Sequence, residues 1–115
     1  MLNYSYVCNM KVSQRNLTSD KLNAVAKIFK TIAHPVKLEI LEILEILEAE
    51  EPLDVSSICE RINAFCETSM MSHHLAKMKD NGILRSQKKG KQVFYTIADR
   101  QILSLFDCMD KCIIL

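Results

Sequence analysis

The chain has 115 residues, of which 49% are hydrophobic, and its formal net charge is +1. This length leaves room for one domain with a modest core and excludes a second domain, and we expect the core to need further burial against a partner surface. Because the overall charge is close to zero, it predicts nothing about nucleic acid. The distribution of charge along the chain is therefore the useful quantity.

The first segment of the chain predicts a tail rather than a targeting sequence. Residues 1–19 are polar and form the predicted N-terminal tail, and residues 20–115 form the predicted domain. The tail has no basic stretch followed by an apolar run, so it predicts neither a secretory signal nor a membrane anchor. Five cysteines without an export signal favour reduced thiols over a disulfide framework. We expect a cytoplasmic protein that makes no membrane contact.

Helical periodicity predicts a first helix from about Asp20 to Ile32, with Ser19 as its N-cap. Its predicted buried stripe consists of Leu22, Val25, Ala26, Ile28 and Phe29. His34-Pro35 breaks this helix, and since proline is tolerated in a first turn, a second helix should begin there and run to about Ala49. The acids of the second helix recur every three residues and predict a solvated edge; they are Glu39, Glu42, Glu45 and Glu48.

A third and a fourth helix follow. Residues 52–55 predict a turn, after which Asp54 or Ser56 can cap a helix that ends near Asn63. Residues 64–67 link it to a helix that runs from Thr68 to about Asp80. Apolar residues at spacings of four and three, namely Met71, Leu75 and Met78, predict one buried stripe on this fourth helix. A left-handed residue in Asn81-Gly82 should end it.

The other side of the fourth helix has the composition of a DNA-reading surface. Short polar side chains lie at its amino end and can reach base edges: Thr68, Ser69, Ser72 and His73. Lys77 and Lys79 lie behind them for phosphates. Adjacent histidines point about 100° apart and cannot converge on one ion. We therefore expect His73 to face DNA and His74 to be partly buried or to brace the turn.

A basic β-hairpin follows the fourth helix. Its predicted arms are 85–88 and 92–97, which flank Lys89-Gly90, and its tip carries Lys88, Lys89 and Lys91. A hairpin in this position predicts a wing whose lysines contact phosphates. The alternative is a solvated edge that its charges protect from strand addition.

The charges are segregated along the chain. Residues 67–92 carry six cations and two acids, a balance of +4, whereas residues 36–60 carry one lysine and eight acids, a balance of −7. One part of the molecule should therefore attract a polyanion while another repels it, which would orient docking.

A last helix is predicted from about Asp99 to Ile114, with apolar positions too numerous for a solvent-facing appendage. They are Ile102, Leu105, Phe106, Met109 and Ile113. Burial against a two-fold mate would give a homodimer with two reading helices. Such a dimer predicts an inverted-repeat operator in double-stranded DNA, with half-sites roughly 34 Å apart.

Three segments of the chain, residues 33–41, 72–84 and 90–95, resemble those of the ArsR/SmtB family of winged-helix repressors, and the resemblance runs from about Leu22 to Cys108. It implies a mainly α fold with a small β-hairpin between the fourth and fifth helices, that is, a winged helix-turn-helix. It also implies a homodimer joined through its first and last helices, and an inducer that releases operator DNA. The family's DNA-contacting positions correspond to Thr68, Ser69, Ser72, His73 and the wing lysines.

The family's sensor sites do not carry over. Its arsenic and cadmium type has two cysteines where this chain has Asp54 and Ser56, and hard oxygen ligands cannot replace thiolates for a soft metal. Its zinc type has a histidine where Gln101 stands. We therefore predict no metal or other cofactor. Cys108 and Cys112, four apart on the last predicted helix, are a possible thiol sensor, and the alternative is that they are small buried hydrophobes.

Two other classes of function remain as alternatives. Ser69 and His73 could form a hydroxyl-base pair, but no acid orients the base and no oxyanion donors are evident, so we do not predict an enzyme. A winged-helix protein-interaction module without DNA binding is the second alternative, since a fold does not fix a function. It would bury the lysines of the basic segment or pair them with acids, whereas a DNA-binding protein would expose them.

Overall fold

The computed structural model describes residues 15–47, 52–63 and 65–112. The elements in these ranges are α1 (Ser19–Ile32), α2 (Pro35–Leu47), β1 (Leu53–Asp54), α3 (Val55–Arg61), α4 (Thr68–Asp80), β2 (Leu84–Lys89), β3 (Gln92–Ile97), a 3-10 turn (Arg100–Leu103) and α5 (Ser104–Asp110). The mainly α fold with a hairpin between the fourth and fifth helices is confirmed. The predicted tail lies mostly outside the described residues, and so does the predicted end of the second helix near Ala49.

The first two helices begin with side-chain caps. Thr18, rather than the predicted Ser19, caps α1, because its hydroxyl accepts a hydrogen bond from the Lys21 N–H at 3.2 Å. The prediction was one residue late, since adjacent hydroxyl residues are equally able to cap. His34 begins α2 in the same way, because its Nδ1 accepts a hydrogen bond from the Val36 N–H at 3.1 Å.

The sheet has three strands, one more than predicted. Its order is β1-β3-β2 and both pairings are antiparallel. The turn predicted at residues 52–55 was wrong in part, because Leu53 and Asp54 pair with Tyr95 and Phe94 of β3. Two residues are too few to show the alternation by which a strand is recognised. The short β1 joins the wing to the start of α3.

The core lies between α2, α4 and the sheet. Its fully enclosed side chains are Ile40, Leu41, Leu44, Leu53, Ile58, Met71, Leu75 and Met78. The stripe predicted for α4 is therefore buried as expected. Burial of these side chains fixes α4 against α2 and leaves the other side of α4 in solvent.

The apolar side chains of α1 are much less buried in the single chain than the sequence predicts. Leu22 and Phe29 are 51% and 49% exposed, and Ala26 is also exposed. Val25, Ile28 and Phe29 instead line one side of an open groove of about 560 Å³, and Ile102 and Leu105 line the other. The prediction of burial was thus wrong for Leu22, Ala26 and Phe29 in the single chain, because periodicity identifies an apolar face without identifying what covers it.

The last helix is shorter than predicted. Asp99 accepts a hydrogen bond from the Gln101 N–H at 2.9 Å and so begins a 3-10 turn, and the α-helix proper runs only from Ser104 to Asp110. Apolar periodicity does not distinguish a 3-10 turn from a turn of α-helix, which is why the sequence predicted one continuous helix from Asp99. The remainder of the predicted helix, from 113 onward, lies outside the described residues.

Candidate nucleic-acid interface

The exposed side of α4 carries the side chains that the sequence predicted for reading DNA. Thr68, Ser69, Ser72, His73 and Lys77 are all exposed. At about 100° per residue, Ser69 and Lys77 lie about 40° on either side of His73, and Ser72 lies farther round on the Ser69 side. The result is a convex surface of short polar groups with a lysine at one edge.

Two further residues belong to this surface and were missed. Met70 is 48% exposed beside Lys77, and Ala76 is exposed between Ser69 and Ser72. Apolar side chains can contact the methyl group of thymine in the major groove. Helical phase could have identified both residues, but their apolar character hid them from a search for polar groups.

The carboxyl end of α4 is closed by a Schellman motif. Gly82 has φ +79°, its N–H donates to the Lys79 carbonyl at 3.0 Å, and the Ile83 N–H donates to the Met78 carbonyl at 2.9 Å. Met78 and Ile83 are both buried, which supplies the apolar contact that accompanies this motif. The predicted cap is confirmed. It turns the chain directly from the reading helix into β2, and so fixes where the wing starts.

The wing presents its lysines in different directions. Lys89 pairs with Gln92, so that Gly90 and Lys91 form a two-residue turn, and Gly90 has φ +63°. This geometry fits a type II′ turn, in which glycine occupies the first position. Lys88 and Lys89 point to opposite faces of the hairpin, and the Lys89 Nζ lies 6.0 Å from the centre of the Phe94 ring. All three tip lysines are exposed.

Asp54 connects the wing to α3. One carboxylate oxygen accepts a hydrogen bond from the Ser57 N–H at 2.9 Å, and the other accepts from the Gln92 side chain at 2.8 Å. Hydrogen bonds from the Ser57 hydroxyl and backbone lower the pKa of Asp54, with a further contribution from Gln92. Asp54 is therefore the cap of α3, one of the two alternatives that the sequence left open.

A compact basic cluster, formed by His34, Lys37, His74 and Lys77, lies where α2 meets α4. The rings of His34 and His74 are 4.8 Å apart, and Lys37 and His74 are each only 8% exposed. Burial lowers the pKa of Lys37, as does the charge of Lys77. Burial also lowers the pKa of His74, with contributions from His34 and Lys37. The burial predicted for His74 is confirmed, but the sequence did not single out Lys37.

The cysteines of the last helix are not arranged as predicted. Cys108 is exposed on α5, whereas Cys112 lies beyond the end of the helix at Asp110 and is half-buried. Both are free thiols. In the ranges that the structure covers, no cluster of three or more histidine, cysteine or acidic residues could hold a metal ion. Within the same ranges, none of the helices combines the length and the apolar character needed to cross a bilayer.

Comparison with known proteins adds independent evidence. No family model matches the chain. It is 29% identical over 109 residues to the cadmium resistance transcriptional regulatory protein CadC homolog of Staphylococcus aureus, covering 93% of this chain and 86% of that protein. It is 30% identical over 93 residues to an HTH-type transcriptional regulator of Methanocaldococcus jannaschii, covering 80% and 98%. The structure of the antimony-specific repressor AntR matches with a TM-score of 0.69 at 25% identity, covering 88% and 90%.

In this order α4, the Schellman turn and the basic hairpin form a winged helix-turn-helix, and the relatives identify the protein as a transcriptional regulator of that class, which binds DNA. Together with these relatives, the architecture places the chain within a single family. The protein belongs to the ArsR/SmtB family of winged-helix transcriptional regulators.

Proposed function

We propose that the protein is a cytoplasmic, homodimeric repressor that binds an inverted-repeat operator through α4 and the wing. The observation that carries this proposal is the exposed row of short polar side chains on α4, with exposed lysines on the adjoining hairpin. In the described part of the chain no carboxylate pairs with Lys77, Lys88, Lys89 or Lys91. Exposed and unpaired lysines support DNA binding over an interaction module that would have neutralised them.

The residues divide into two kinds of contact. Thr68, Ser69, Ser72 and His73 would meet base edges, because they are short and lie along the exposed face of α4. The lysines are longer and lie at the edge of α4 and at the wing tip, so they would meet phosphates. Base contacts confer sequence preference, whereas phosphate contacts confer affinity on any DNA.

The groove between α1 and α5 is the surface through which two copies would join. Its lining is largely apolar, and Leu22 and Phe29 on α1 remain about half exposed in the single chain. A two-fold dimer through this groove would bury these side chains. It would also present two α4 helices to successive major grooves on one side of the duplex, roughly 34 Å apart.

The surface argues against catalysis. Ser69 and His73 are both exposed, and His73 lines neither the α1/α5 groove nor the smaller cavity beside the wing. Enzymes commonly hold substrates in concave sites that exclude water. A convex row of side chains instead suits the major groove.

The effector would not be bound at the position where cadmium-type members of the family have their cysteines. Asp54 occupies that position and is already engaged as the cap of α3 and the partner of Gln92. An alternative effector is an oxidant that reacts with Cys108, with or without Cys112, because the Cys108 thiol is exposed. In that case oxidation would weaken operator binding, and reduction would restore it.

The proposal is tested by salt-dependent binding to the DNA upstream of its own gene and to random DNA of equal length. Replacing both Lys89 and Lys91 with methionine should weaken binding to both duplexes and reduce the salt slope by about 0.9 for each lost phosphate contact. Lys27→Met, on the side of α1 away from the groove, is the control. Replacing Ser72 with alanine should instead reduce only the preference for the upstream DNA. The proposal would be contradicted if the wild type showed no preference for the upstream DNA and if these substitutions left its affinity and salt slope unchanged.

A further inference from the structure

Lys37 stands out among the buried polar residues of the described chain. Thr31, Lys37 and His74 are the buried residues with polar or charged side chains. The Thr31 hydroxyl donates to the Lys27 carbonyl at 2.7 Å and is thus satisfied. Lys37 is 8% exposed, yet within the described ranges its ammonium has neither a hydrogen bond nor an ion pair. Buried lysines almost always have an acidic partner.

The environment of Lys37 is cationic instead. Lys77 is close enough for its charge to lower the pKa of Lys37, and the charge of Lys37 in turn acts on His74. Every fully enclosed side-chain nitrogen or oxygen in the described ranges has a hydrogen-bond partner. Because the Lys37 ammonium has none, its tip must reach the surface. Lys37 therefore holds a positive charge at an opening to solvent, and no counter-charge pairs with it in the described ranges.

The amino end of α2 adds to this positive potential. Lys37 is the third residue of this 13-residue helix, and its backbone N–H has no acceptor in the described chain. The N–H of Val36 is capped by His34, and that of Leu38 donates to the His34 carbonyl at 3.1 Å. The first turn of a helix favours anions because of its free N–H groups and its dipole. Lys37 supplies both a charge and an unused N–H at this point.

The opening lies at the edge of the proposed reading surface. On α4, Lys77 lies about 40° from the exposed His73 and about 60° from the buried His74, so it stands between the two faces. Lys37 approaches α4 on the side of His74 and Lys77. An anion held between Lys37 and Lys77 would therefore lie beside the groove that α4 enters, which is where a DNA backbone passes.

We propose that Lys37, Lys77 and the amino end of α2 together bind one backbone phosphate of the operator. This inference rests on the proposed function, because it assumes that α4 enters the major groove. The phosphate provides the counter-charge that the described chain lacks and accepts hydrogen bonds from the ammonium groups. A free phosphate ion has the same chemistry, but the position of Lys77 at the edge of the reading face favours DNA.

The test measures operator affinity at several salt concentrations between about 50 and 200 mM, which gives the slope of log affinity against log salt. We compare the wild type, Lys37→Met, which removes the charge at similar length, and Lys27→Met, an exposed control on the side of α1 away from the groove. Lys37→Met should reduce affinity about tenfold or more and the salt slope by about 0.9, while Lys27→Met leaves both unchanged. The thermal stability of Lys37→Met should equal or exceed that of the wild type, because the substitution removes an unpaired buried charge.

A second arm separates the two sources of phosphate. A methylphosphonate, which has no charge, is placed in turn at each phosphate flanking the bound major groove. At one position the methylphosphonate should lower the DNA affinity of the wild type about as much as Lys37→Met does. At the same position it should not lower the affinity of the Lys37→Met variant any further. Stabilisation of the wild type alone by inorganic phosphate, with an unchanged DNA salt slope for Lys37→Met, would show a free-anion site and overturn the proposal.

Other outcomes are equally decisive. If Lys37→Met loses stability together with DNA binding, and Lys37→Arg restores stability without the salt slope, Lys37 has a structural role and the proposal is wrong. If the wild type binds DNA with a steep salt slope that Lys37→Met retains, only this inference fails. If the wild type binds no DNA at all, the proposed function fails first, and the phosphate site fails with it.

Discussion

Asp54 offers the sharpest link between the stability of the fold and the position of the wing. Replacing it with alanine removes the acceptor for the Ser57 N–H, at 2.9 Å, and for the Gln92 side chain, at 2.8 Å. Loss of an N-cap costs about 1 kcal/mol, within a range of roughly 0.5–2. The exposed hydrogen bond to Gln92 adds about 0.5–1 kcal/mol. We therefore expect Asp54→Ala to lose about 1–3 kcal/mol of unfolding free energy.

Urea denaturation at fixed protein concentration measures this loss, and Asp54→Asn is the matched control. Asparagine caps helices as well as aspartate does, so Asp54→Asn should recover most of the capping contribution. The wing should also respond: Asp54→Ala should reduce DNA affinity through altered placement of Gln92 and its neighbours. A loss below about 0.3 kcal/mol for Asp54→Ala, or equal losses for alanine and asparagine, would refute this reasoning.

The same residue predicts a pH dependence. The pKa of Asp54 is lowered in the folded state, chiefly by its hydrogen bonds with Ser57, so below about pH 4 the unfolded chain binds more protons than the folded one. The stabilising contribution is therefore complete above that pH and is lost as pH falls through the folded pKa. Asp54→Asn should lack this part of the acid transition.

Three further predictions concern the fold around the reading helix. Gly82→Ala should lose about 1–2 kcal/mol by urea denaturation, because φ of +79° strains an L-residue although no atom obstructs its Cβ. Met71→Ala should lose about 2–5 kcal/mol, since this side chain is fully enclosed, and a smaller loss would mean that the core relaxes into the cavity. Because burial lowers the pKa of His74, stability should fall as pH decreases below about 6.5, and His74→Leu should abolish that dependence.

The sequence was sufficient where local chemistry decides the structure. The apolar spacing of Met71, Leu75 and Met78 defined one face of α4, and Gly82 defined its end, because only glycine takes a positive φ there without strain. The polar face followed from the same periodicity. These features do not depend on what surrounds the helix, so the reading surface and the wing could be predicted together.

The sequence was insufficient where distant contacts decide. The strand β1 exists only because Leu53 and Asp54 meet β3, some forty residues later in the chain. Lys37 was counted with an acidic stretch of sequence, yet the packing of α2 on α4 buries it among basic groups. The face of α1 looked like core because apolar periodicity does not reveal whether its cover belongs to the same chain.

Methylation interference on operator DNA would show whether two α4 helices occupy the major groove. DNA fragments that the protein selects are methylated at guanine N7, an acceptor in the major groove, before binding is measured. For the wild type we expect two clusters of interfering guanines about one helical turn, roughly 34 Å, apart. For the double variant Ser72→Ala, His73→Ala we expect residual DNA binding without either cluster. Binding that tolerates methylation everywhere, or a single cluster, would contradict a dimer with two α4 helices in the major groove.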